Sequence, residues 1–476
     1  MVTARLERIV GYVRRWRTYG DGGEALVLAP ELPDADLKRL RRVIDQCIDA
    51  QGGEVAARRK ARSIGTAFSG LDAVGRRRFF ELLANEYGGD DDAVDRAIDL
   101  VVRARDRSER SAAEAELRRA LEPRRERLFR RFAGLDGGLP FLVGLREDLL
   151  GHRDDEALDA VDRDLRQILE GWFDVALLRL ERLRWDSPAA LLERLIQYEA
   201  VHAIESWDDL KGRLGPGRRC YAFLHPAMPD DPLIFVEVAL TKGIASSLPS
   251  LLDHRADRVD EAEADAAIFY SISNCHRGLA GVSLGDFLIK SVAEQLSAEL
   301  PSITDFATLS PLPGFRRWVE RSVADGDLVI APGEAEALTD GSGVDGEEPT
   351  ALAAQRLAQL ISGPVPDGDD RRLAVARPLL MRLAAEYLTR ERKNRRSLDP
   401  VANFHLSNGA TIGRLNWWAN PNAAGWERGL GIMVNYHYQL RHIERNHDRY
   451  VGEGTVTAAD GVRKLLTPVE PSRKSQ

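Results

Sequence analysis

The sequence predicts a multidomain protein in which a helical domain is followed by a mixed α/β domain. Through residues 1–183, apolar side chains recur at spacings of three and four, which is the period of amphipathic helices. Beyond residue 185, short runs rich in β-branched and aromatic residues alternate with further helical runs. A chain of 476 residues also exceeds what one hydrophobic core usually holds, so more than one domain is expected.

The helical half shows its pattern most clearly in ADLKRLRRVIDQCIDA, residues 35–50. One stripe of this segment is apolar and consists of Leu37, Leu40, Ile44, Cys47 and Ile48. The glycine pair that follows ends the helix. Further helical runs are RRFFELLANEY, DDAVDRAIDLVVRARD, AEAELRRALEPRRERLFRRF and LRQILEGWFDVALLRLERL. We therefore predict an all-α domain of about seven or eight helices over residues 1–184.

The second domain, residues 185–476, begins where this pattern changes. Ser187 followed by Pro188 indicates a helix start, because serine caps helices and proline fits the first turn. Short β-favouring runs then follow as RCYAFLH, PLIFVEVAL, AAIFYSIS and DFATLS, with a helix predicted from about Leu284. Strands that are first neighbours and then flank a helix predict a mixed α/β domain.

Two later segments are predicted to lack regular packed structure. Residues 331–370 are rich in Gly, Asp, Glu and Pro around one helical patch, ALAAQRLAQLI, and indicate a mobile surface insertion. The segment VANFHLSNGATIGRLNWWANPN, followed by GLGIMVNYHYQL, is dense in Gly, Asn and Trp. That composition indicates constrained loops and closing strands rather than a helix.

Composition limits the classes of partner. The formal net charge is −8, whereas nucleic-acid binding needs a basic excess, so nucleic acid is not expected as the main partner. Three cysteines without a CxxC pair argue against a disulfide framework or a structural zinc site and suit a reducing compartment. No apolar run approaches the roughly 20 residues of a membrane span, and the first residues lack a signal-peptide core. We therefore expect a cytoplasmic protein with no membrane partner.

The first candidate site is the strand–loop–helix segment AAIFYSIS-NCHRGLAGVSLG-DFLIKSV. A glycine-containing turn between a strand and a helix N-terminus presents backbone N–H groups to a phosphate. Compared with the acyltransferase pyrophosphate loop, Q/R-x-x-G-x-G/A, the run AGVSLG matches at Gly285 but not at Ala280 or Ser283. From the local pattern alone, an ordinary strand-to-helix turn is the alternative.

Ser310 and His405 are the candidate reactive side chains. Ser310 stands in TLSPLPGF before a proline-stiffened turn, where a hydroxyl either contacts a substrate or satisfies its own turn. His405 lies in NFHLSNG, where an imidazole either acts as an acid or base or is a satisfied structural group. The nearby NYHYQL offers two phenols and a second imidazole, or a packed aromatic strand.

Signatures of several other reactions are absent from the sequence. The chain has no HExxH, P-loop or GxSxG motif, no dinucleotide fingerprint and no biotin-attachment lysine motif. No metal site is therefore predicted. Local motifs alone indicate an α/β protein with a candidate acyl-CoA pocket.

Several long motifs, taken in order, resemble the malonyl-CoA decarboxylase family. Between Gly171 and Leu440 they are FDVALLRLERLRWDSPAALLERL, EAVHAI, RRCYAFLHPAMPDDPLIFVEVALT, AIFYSIS, FLIKSV, LSPLPGF, DPVANFHLSNGA and MVNYHYQL. The earlier LFRRFAGLDGGLPFLVGLREDLL also fits, so the resemblance covers the chain from about Arg125. It implies a helical N-terminal oligomerisation domain, a catalytic domain of GNAT-like fold, and a homo-oligomer arranged as a dimer of dimers.

The resemblance also implies the site residues. Ser310 and His405 take the positions of the family's catalytic serine and histidine, and Tyr438 takes that of a tyrosine lining the site. Ser271 in FYSIS matches a further serine of the site. The CoA-binding loop of the family corresponds to Ala280, Gly281, Val282, Ser283, Leu284, Gly285 and Asp286. Animal members of the family carry a glutamate where this chain has Ser283.

The implied activity is the conversion of malonyl-CoA to acetyl-CoA and CO2 in fatty acid metabolism. No cofactor or metal is expected, because the thioester itself accepts the electron pair. Ser310 and His405 are expected to hold the carboxylate and the thioester, and His405 to protonate the α-carbon. Two alternatives remain at this point: a GNAT-type N-acyltransferase, which releases free CoA when an amine acceptor is present, and a non-catalytic acyl-CoA sensor, which leaves malonyl-CoA intact.

Overall fold

The computed structural model describes residues 26–152, 155–253, 260–282, 284–339 and 348–467. The sequence predictions that fall on residues 1–25, on Ser283 and on residues 340–347 lie outside this part of the chain. Within the described residues, the predicted order of a helical region and then a mixed α/β region is confirmed.

Two compact units make up the described chain. The first comprises the residues up to Arg179 together with Leu224–Leu233 and Asn274–Leu284, and the second comprises Leu180–Phe223, Ile234–Ser273 and the residues from Gly285 onward. The single domain boundary predicted at residue 184 is therefore corrected. Strand β1 (Arg179–Leu183) already belongs to a sheet, and two later segments of the chain return to the helical unit.

The first unit contains eight α-helices in its described residues, which confirms the helix count that the periodicity predicts. They are α1 (Asp34–Ile48), α2 (Gly53–Ser69), α3 (Ala73–Glu86), α4 (Asp91–Arg103), α5 (Arg107–Ala120), α6 (Arg124–Ala133), α7 (Gly138–Leu149) and α8 (Glu156–Trp172). Four of these helices begin at an aspartate whose carboxylate accepts a first-turn N–H, namely Asp72, Asp90, Asp106 and Asp155. Two 3₁₀ turns, Val175–Leu177 and Arg277–Leu279, also belong to this unit.

A mixed β-sheet forms the centre of the second unit. After β1, its strands in chain order are β2 (Arg218–Leu224), β3 (Ile234–Thr241), β4 (Ala266–Asn274), β5 (Asp305–Thr308) and β6 (Ser310–Pro311). A separate hairpin follows as β7 (Arg392–Lys393) and β8 (Arg396–Ser397), and the sheet is completed by β9 (Thr411–Asn416) and β10 (Met433–His437). The four strands predicted from β-favouring runs are confirmed.

The strand order across this sheet is β1-β2-β3-β4-β5-β10-β6, with β9 also paired to β10. β2 and β3 are antiparallel, and β10 is antiparallel to β5, β6 and β9. β4 and β5 are parallel, and the chain between them contains helix Gly285–Glu299 as the crossover that parallel neighbours require. The closing strands of the chain thus lie beside β5 and β6.

The second unit also contains twelve α-helices in its described residues. They are α9 (Ala189–Tyr198), α10 (Trp207–Arg213), α11 (Leu248–Leu252), α12 (Gly285–Glu299), α13 (Phe315–Ala324), α14 (Pro332–Thr339), α15 (Pro349–Ser362), α16 (Arg371–Thr389), α17 (Pro400–Ser407), α18 (Ala423–Gly429), α19 (Ile443–Glu453) and α20 (Asp460–Leu465), with a 3₁₀ turn at Leu440–His442. The helix start predicted at Ser187-Pro188 is confirmed, because α9 follows directly after Pro188.

The prediction that residues 331–370 form a mobile surface insertion is wrong for the described part of this segment. This segment contains α14 and α15, which bury Ala335, Ala353 and Leu357. Glu334 is 4% exposed and accepts two hydrogen bonds from Arg382 of α16, each 2.7 Å long. The apolar residues of ALAAQRLAQLI recur at helical spacing, and the polar composition of the surrounding residues concealed their packing role.

Two structural observations concern membrane spans and cysteine pairing. No helix among the described residues is both long enough and apolar enough to cross a membrane. Cys47, Cys220 and Cys275 are buried, and none of them forms a disulfide.

Candidate active site

Ser310 lies where β10 changes its partner from β5 to β6. β5 ends at Thr308 and β6 begins at Ser310, with Leu309 between them. Both strands pair with β10, and Val434 lies opposite Ser310. Because side chains alternate along an extended chain, Thr308 and Ser310 lie on the same side, and their hydroxyl oxygens are 2.9 Å apart.

His405 is carried by helix α17, and the predicted loop over this segment is wrong. The Asp399 carboxylate accepts hydrogen bonds from the N–H groups of Val401 and Ala402, at 3.0 and 2.9 Å. Pro400 occupies the first turn, where its missing N–H costs nothing. An aspartate cap followed by proline is a strong helix start, and it outweighs the Asn- and Gly-rich composition that follows. His405 lies in the last turn of this helix.

A line of hydrogen bonds connects side chains from three parts of the chain. His405 Nε2 is 3.0 Å from Ser310 Oγ, and His405 Nδ1 is 2.7 Å from Tyr438 Oη. The Ser310 hydroxyl also donates to Thr308 Oγ1 at 2.9 Å. All four residues are at most 6% exposed. The structure thus brings together three of the predicted site residues and adds Thr308 to them.

Burial determines the charge state of His405. Its imidazole stacks on the ring of Tyr436, with centroids 4.4 Å apart and planes inclined by 25°. Removal from water disfavours the imidazolium ion and lowers the pKa of His405 from 6.5 to about 3. The ring is therefore neutral at physiological pH, so one of its nitrogens donates a hydrogen bond and the other accepts one.

Asn435 fixes the backbone beside this line of hydrogen bonds. Its Nδ2 donates to the carbonyl oxygen of Thr308 at 2.6 Å, and its Oδ1 accepts from Asn416 Nδ2 at 2.8 Å and Arg414 Nε at 3.1 Å. The backbone N–H of Tyr436 donates to Thr308 Oγ1 at 3.1 Å. β5, β9 and β10 are therefore joined by side-chain bonds as well as by backbone pairing, which limits movement at Thr308.

Ser271 belongs to a different polar cluster. Its Oγ donates to both carboxylate oxygens of Glu199, at 2.7 and 2.8 Å, and Ser273 Oγ donates to the same carboxylate at 3.0 Å. The N–H groups of Val201 and His202 also bind this carboxylate. The Ser271 proton is therefore used inside the sheet, and a contact of this residue with substrate stays a prediction.

The predicted CoA-binding loop belongs, up to Leu284, to the first unit. Arg146 is 2% exposed and donates from Nη1 to the carbonyl oxygens of Gly278 and Ala280, at 2.8 and 2.7 Å. Its Nε donates to Asp162 at 2.7 Å. One buried guanidinium therefore fixes the backbone at the entry to this loop.

Two glycines of this region are required by its geometry. A Cβ at Gly278 would lie 1.9 Å from the carbonyl oxygen of Val143, so no larger residue fits without moving the backbone. Gly281 has a φ of +81°, a backbone conformation that residues with a Cβ rarely adopt. Ala280 and Gly281 are exposed, and helix α12 begins at Gly285. That these residues bind CoA stays a prediction.

Sequence reasoning missed Thr308 and Tyr436 as members of the site. Thr308 is two residues from Ser310, and Tyr436 is two residues from Tyr438, so strand alternation could have placed each pair on one side. No sequence pattern marks Asn435, because its side chain bonds to a backbone carbonyl of β5, a strand that is distant in the sequence.

Comparison with known proteins assigns the family. The family model of the malonyl-CoA decarboxylase C-terminal domain matches residues 176–476, and that of the N-terminal domain matches residues 87–173. The mitochondrial malonyl-CoA decarboxylase of Anser anser anser is 33% identical over 486 residues, which cover 99% of this chain and 96% of the relative. The chain belongs to the malonyl-CoA decarboxylase family.

Solved structures of the malonyl-CoA decarboxylase family agree with this assignment. Malonyl-CoA decarboxylase from Rhodopseudomonas palustris is 38% identical with a TM-score of 0.79, covering 90% of this chain and 99% of that one. The enzyme from Agrobacterium vitis is 36% identical with the same TM-score, covering 90% and 100%. The resemblance carried by the ordered motifs is thereby confirmed, while the GNAT-like assignment of the catalytic domain stays a prediction.

Replacing Arg146 tests how this family member holds its predicted CoA loop. Arg146→Met removes the donors to two loop carbonyls and leaves Asp162 without its partner. We expect the free energy of unfolding to fall by about 3–5 kcal/mol, the usual cost of breaking a buried ion pair. Urea denaturation followed by circular dichroism measures it. The exposed Arg163→Met on helix α8 is the control and should change stability by less than about 0.5 kcal/mol. Equal losses in both variants would contradict the role of Arg146.

The pKa of His405 predicts acid sensitivity. Between pH 6.5 and about 3, the unfolded chain takes up a proton at His405 that the folded chain does not, so stability falls as the pH is lowered. The slope from this residue is at most about 1.4 kcal/mol per pH unit. His405→Gln removes this contribution, and its urea midpoint should fall less than that of the wild type between pH 7 and pH 4.5. Exposed His447→Gln should follow the wild type; parallel curves for all three proteins would exclude the burial effect.

Proposed function

We propose that this chain removes CO2 from malonyl-CoA and leaves acetyl-CoA. The observation that carries the proposal is the buried line of Ser310, His405 and Tyr438 in a member of the malonyl-CoA decarboxylase family. The names of the relatives, malonyl-CoA decarboxylases of Anser anser anser and Rattus norvegicus, support the choice of substrate.

Decarboxylation of a malonyl thioester needs hydrogen-bond donors and a proton, but no nucleophile. The bond between the α-carbon and the carboxylate breaks, CO2 leaves, and the electron pair forms the thioester enolate. The α-carbon then takes up one proton to give the acetyl group. Donors aimed at the developing enolate oxygen lower the barrier most where water is excluded. The buried position of Ser310 and His405 supports this kind of catalysis.

Ser310 and His405 carry the proposed reaction. Together they hold the carboxylate and thioester of the substrate through the hydroxyl and the Nε2 atom, which are 3.0 Å apart. His405 then protonates the α-carbon through the one N–H that its ring, neutral at physiological pH, carries. Tyr438, on the far nitrogen of the ring, holds the orientation of the imidazole.

We assign the CoA part of the substrate to residues 280–286. Exposed backbone at Ala280 and Gly281, followed by the start of helix α12, supports binding of a phosphate group. A positive charge is close by, because a Cβ at Gly281 would lie 3.7 Å from a guanidinium nitrogen of Arg166.

The proposal also covers the compartment, the oligomeric state and the metabolic role of the enzyme. We propose a cytoplasmic homo-oligomer, a dimer of dimers, that acts in fatty acid metabolism with no cofactor or metal. The family resemblance supports the oligomer, the three buried cysteines, which form no disulfide, support a reducing compartment, and the thioester carbonyl supplies the electron sink. Light scattering coupled to size exclusion measures the oligomer directly.

Incubation of the purified chain with malonyl-CoA alone tests the proposed activity. Mass spectrometry should show acetyl-CoA formed in step with malonyl-CoA lost, together with CO2 and no free CoA. An N-acyltransferase would release CoA only after an amine is added, and an acyl-CoA sensor would leave malonyl-CoA intact. Either of these results would overturn the proposal.

Single substitutions test the two catalytic assignments. His405→Ala should lower kcat by about 10²–10⁴-fold, the usual scale for a positioned acid or base. Ser310→Ala should also impair turnover with the fold retained, because it removes a hydroxyl that holds the reacting groups. The exposed His447→Ala should keep wild-type kinetics. A folded variant at either site with normal kcat/KM would remove that residue from the mechanism.

A further inference from the structure

The Ser310 hydroxyl has one proton and two neighbours that can accept it. Thr308 Oγ1 lies 2.9 Å away and His405 Nε2 lies 3.0 Å away. If the proton points to His405, Nε2 is an acceptor and Ser310 is prepared to act as a nucleophile. If it points to Thr308, Nε2 must carry the proton and donate to Ser310. The two arrangements favour different reactions.

In the second arrangement Ser310 donates to Thr308 Oγ1, an oxygen that the N–H of Tyr436 holds in place at 3.1 Å. At the other end, Tyr438 Oη lies 2.7 Å from His405 Nδ1. A phenol is a better donor than a neutral imidazole N–H, so the phenol donates and Nδ1 accepts. Nε2 is then the protonated nitrogen.

We propose that Thr308 is a positioning residue that directs the Ser310 proton away from His405 and thereby holds His405 as the Nε2–H tautomer. This inference rests on the proposed decarboxylation, because it assigns the proton that the reaction consumes. Thr308 acts through Ser310, to which its hydroxyl is hydrogen-bonded at 2.9 Å. Its own position is fixed by the bond from Asn435 Nδ2 to its carbonyl oxygen, at 2.6 Å.

The tautomer explains how a neutral imidazole can deliver a proton. As the Nε2–H bond breaks and the proton joins the α-carbon of the enolate, the O–H of Tyr438 breaks and its proton joins Nδ1. The imidazole remains neutral throughout. The Tyr438 phenolate then takes its proton back from Nδ1 as Nε2 takes one from solvent water, which restores the Nε2–H tautomer and releases hydroxide to solvent. In this arrangement, which is that of the site before substrate binds, Ser310 accepts a hydrogen bond from Nε2–H and does not attack the thioester. When the malonyl carboxylate binds, the Ser310 proton turns from Thr308 to a carboxylate oxygen. Thr308 therefore favours proton delivery over thioester hydrolysis at the same pair of residues.

Nitrogen NMR of the full-length chain tests the proposal. In protein labelled with ¹⁵N-histidine, the His405 signals are assigned by their loss in His405→Gln. In the wild type, Nδ1 should resonate as an unprotonated nitrogen and Nε2 as a protonated one. Protonated Nδ1 in the wild type would overturn the proposal without any variant.

Two substitutions of Thr308 separate its hydroxyl from its shape. Thr308→Val is close in volume and lacks the acceptor, whereas Thr308→Ser keeps the acceptor. We expect Thr308→Val to populate the Nδ1–H tautomer and to lower kcat by about 10-fold or more with KM nearly unchanged, the scale of one lost buried hydrogen bond. Thr308→Ser should restore the wild-type tautomer and most of kcat. An unchanged tautomer in a folded Thr308→Val protein would contradict the proposal.

The two measurements also distinguish this inference from the proposed function. If the wild type leaves malonyl-CoA intact, the proposed function fails, while the tautomer is still measured by NMR. If the wild type makes acetyl-CoA but carries its proton on Nδ1, the function stands and the role of Thr308 is overturned. Release of free CoA by Thr308→Val, without an amine, would further support the inference because it reports a Ser310 freed to attack the thioester.

Discussion

The hydrogen bond between Ser310 and His405 joins residues 95 positions apart, and the second unit is arranged so that it can form. Three local features have to agree for this. The chain must leave β5 before Ser310, helix α17 must start at Asp399, and β10 must run between these elements with its own pairing intact. Each feature follows from a few residues, but their meeting point is a property of the whole sheet. The strand pairing that stabilises the sheet therefore also places Ser310 next to His405.

Burial shifts the pKa values of His405 and of Asp399, the cap of its helix, in opposite directions. It lowers the pKa of His405 to about 3, because the charged imidazolium loses its water. It raises the pKa of Asp399 to about 6, although the N–H groups of Val401 and Ala402 oppose that rise. The helix that carries the neutral imidazole thus begins on a carboxylate that is costly to bury, and the backbone bonds at the helix start offset part of that cost. Charge at the site is set by solvent exclusion and hydrogen bonds rather than by ion pairs with the ring.

The sequence was informative where structure is local. Helical spacing predicted about seven or eight helices for the first domain, and β-favouring runs predicted β2 to β5, because these patterns arise from residues close together in the chain. The helical run expected to continue to Leu183 was wrong beyond Trp172, where a 3₁₀ turn and β1 follow. Composition failed at α17, where one aspartate and one proline decided the outcome. Ser310 and His405 were singled out by their place in ordered family motifs. Strand alternation could have placed Thr308 beside Ser310, but its bond to the N–H of Tyr436 joins β5 to β10, and no window of sequence contains both strands.

Two serines of the same sheet, Ser271 on β4 and Ser310 on β6, show why chemistry depends on the acceptor rather than on the residue type. Ser271 donates to Glu199, a carboxylate that also receives Ser273 and two backbone N–H groups. A charged acceptor holds that proton strongly, so the hydroxyl serves the stability of the sheet. Among the described residues, Ser310 bonds to two neutral groups, a threonine oxygen and an uncharged imidazole, which differ little in their hold on its proton. A small energetic bias is therefore enough to choose its direction. Because the two acceptors differ so little, Ser310 can redirect its proton during a reaction. For the same reason, the fixed position of Thr308 decides where that proton points beforehand.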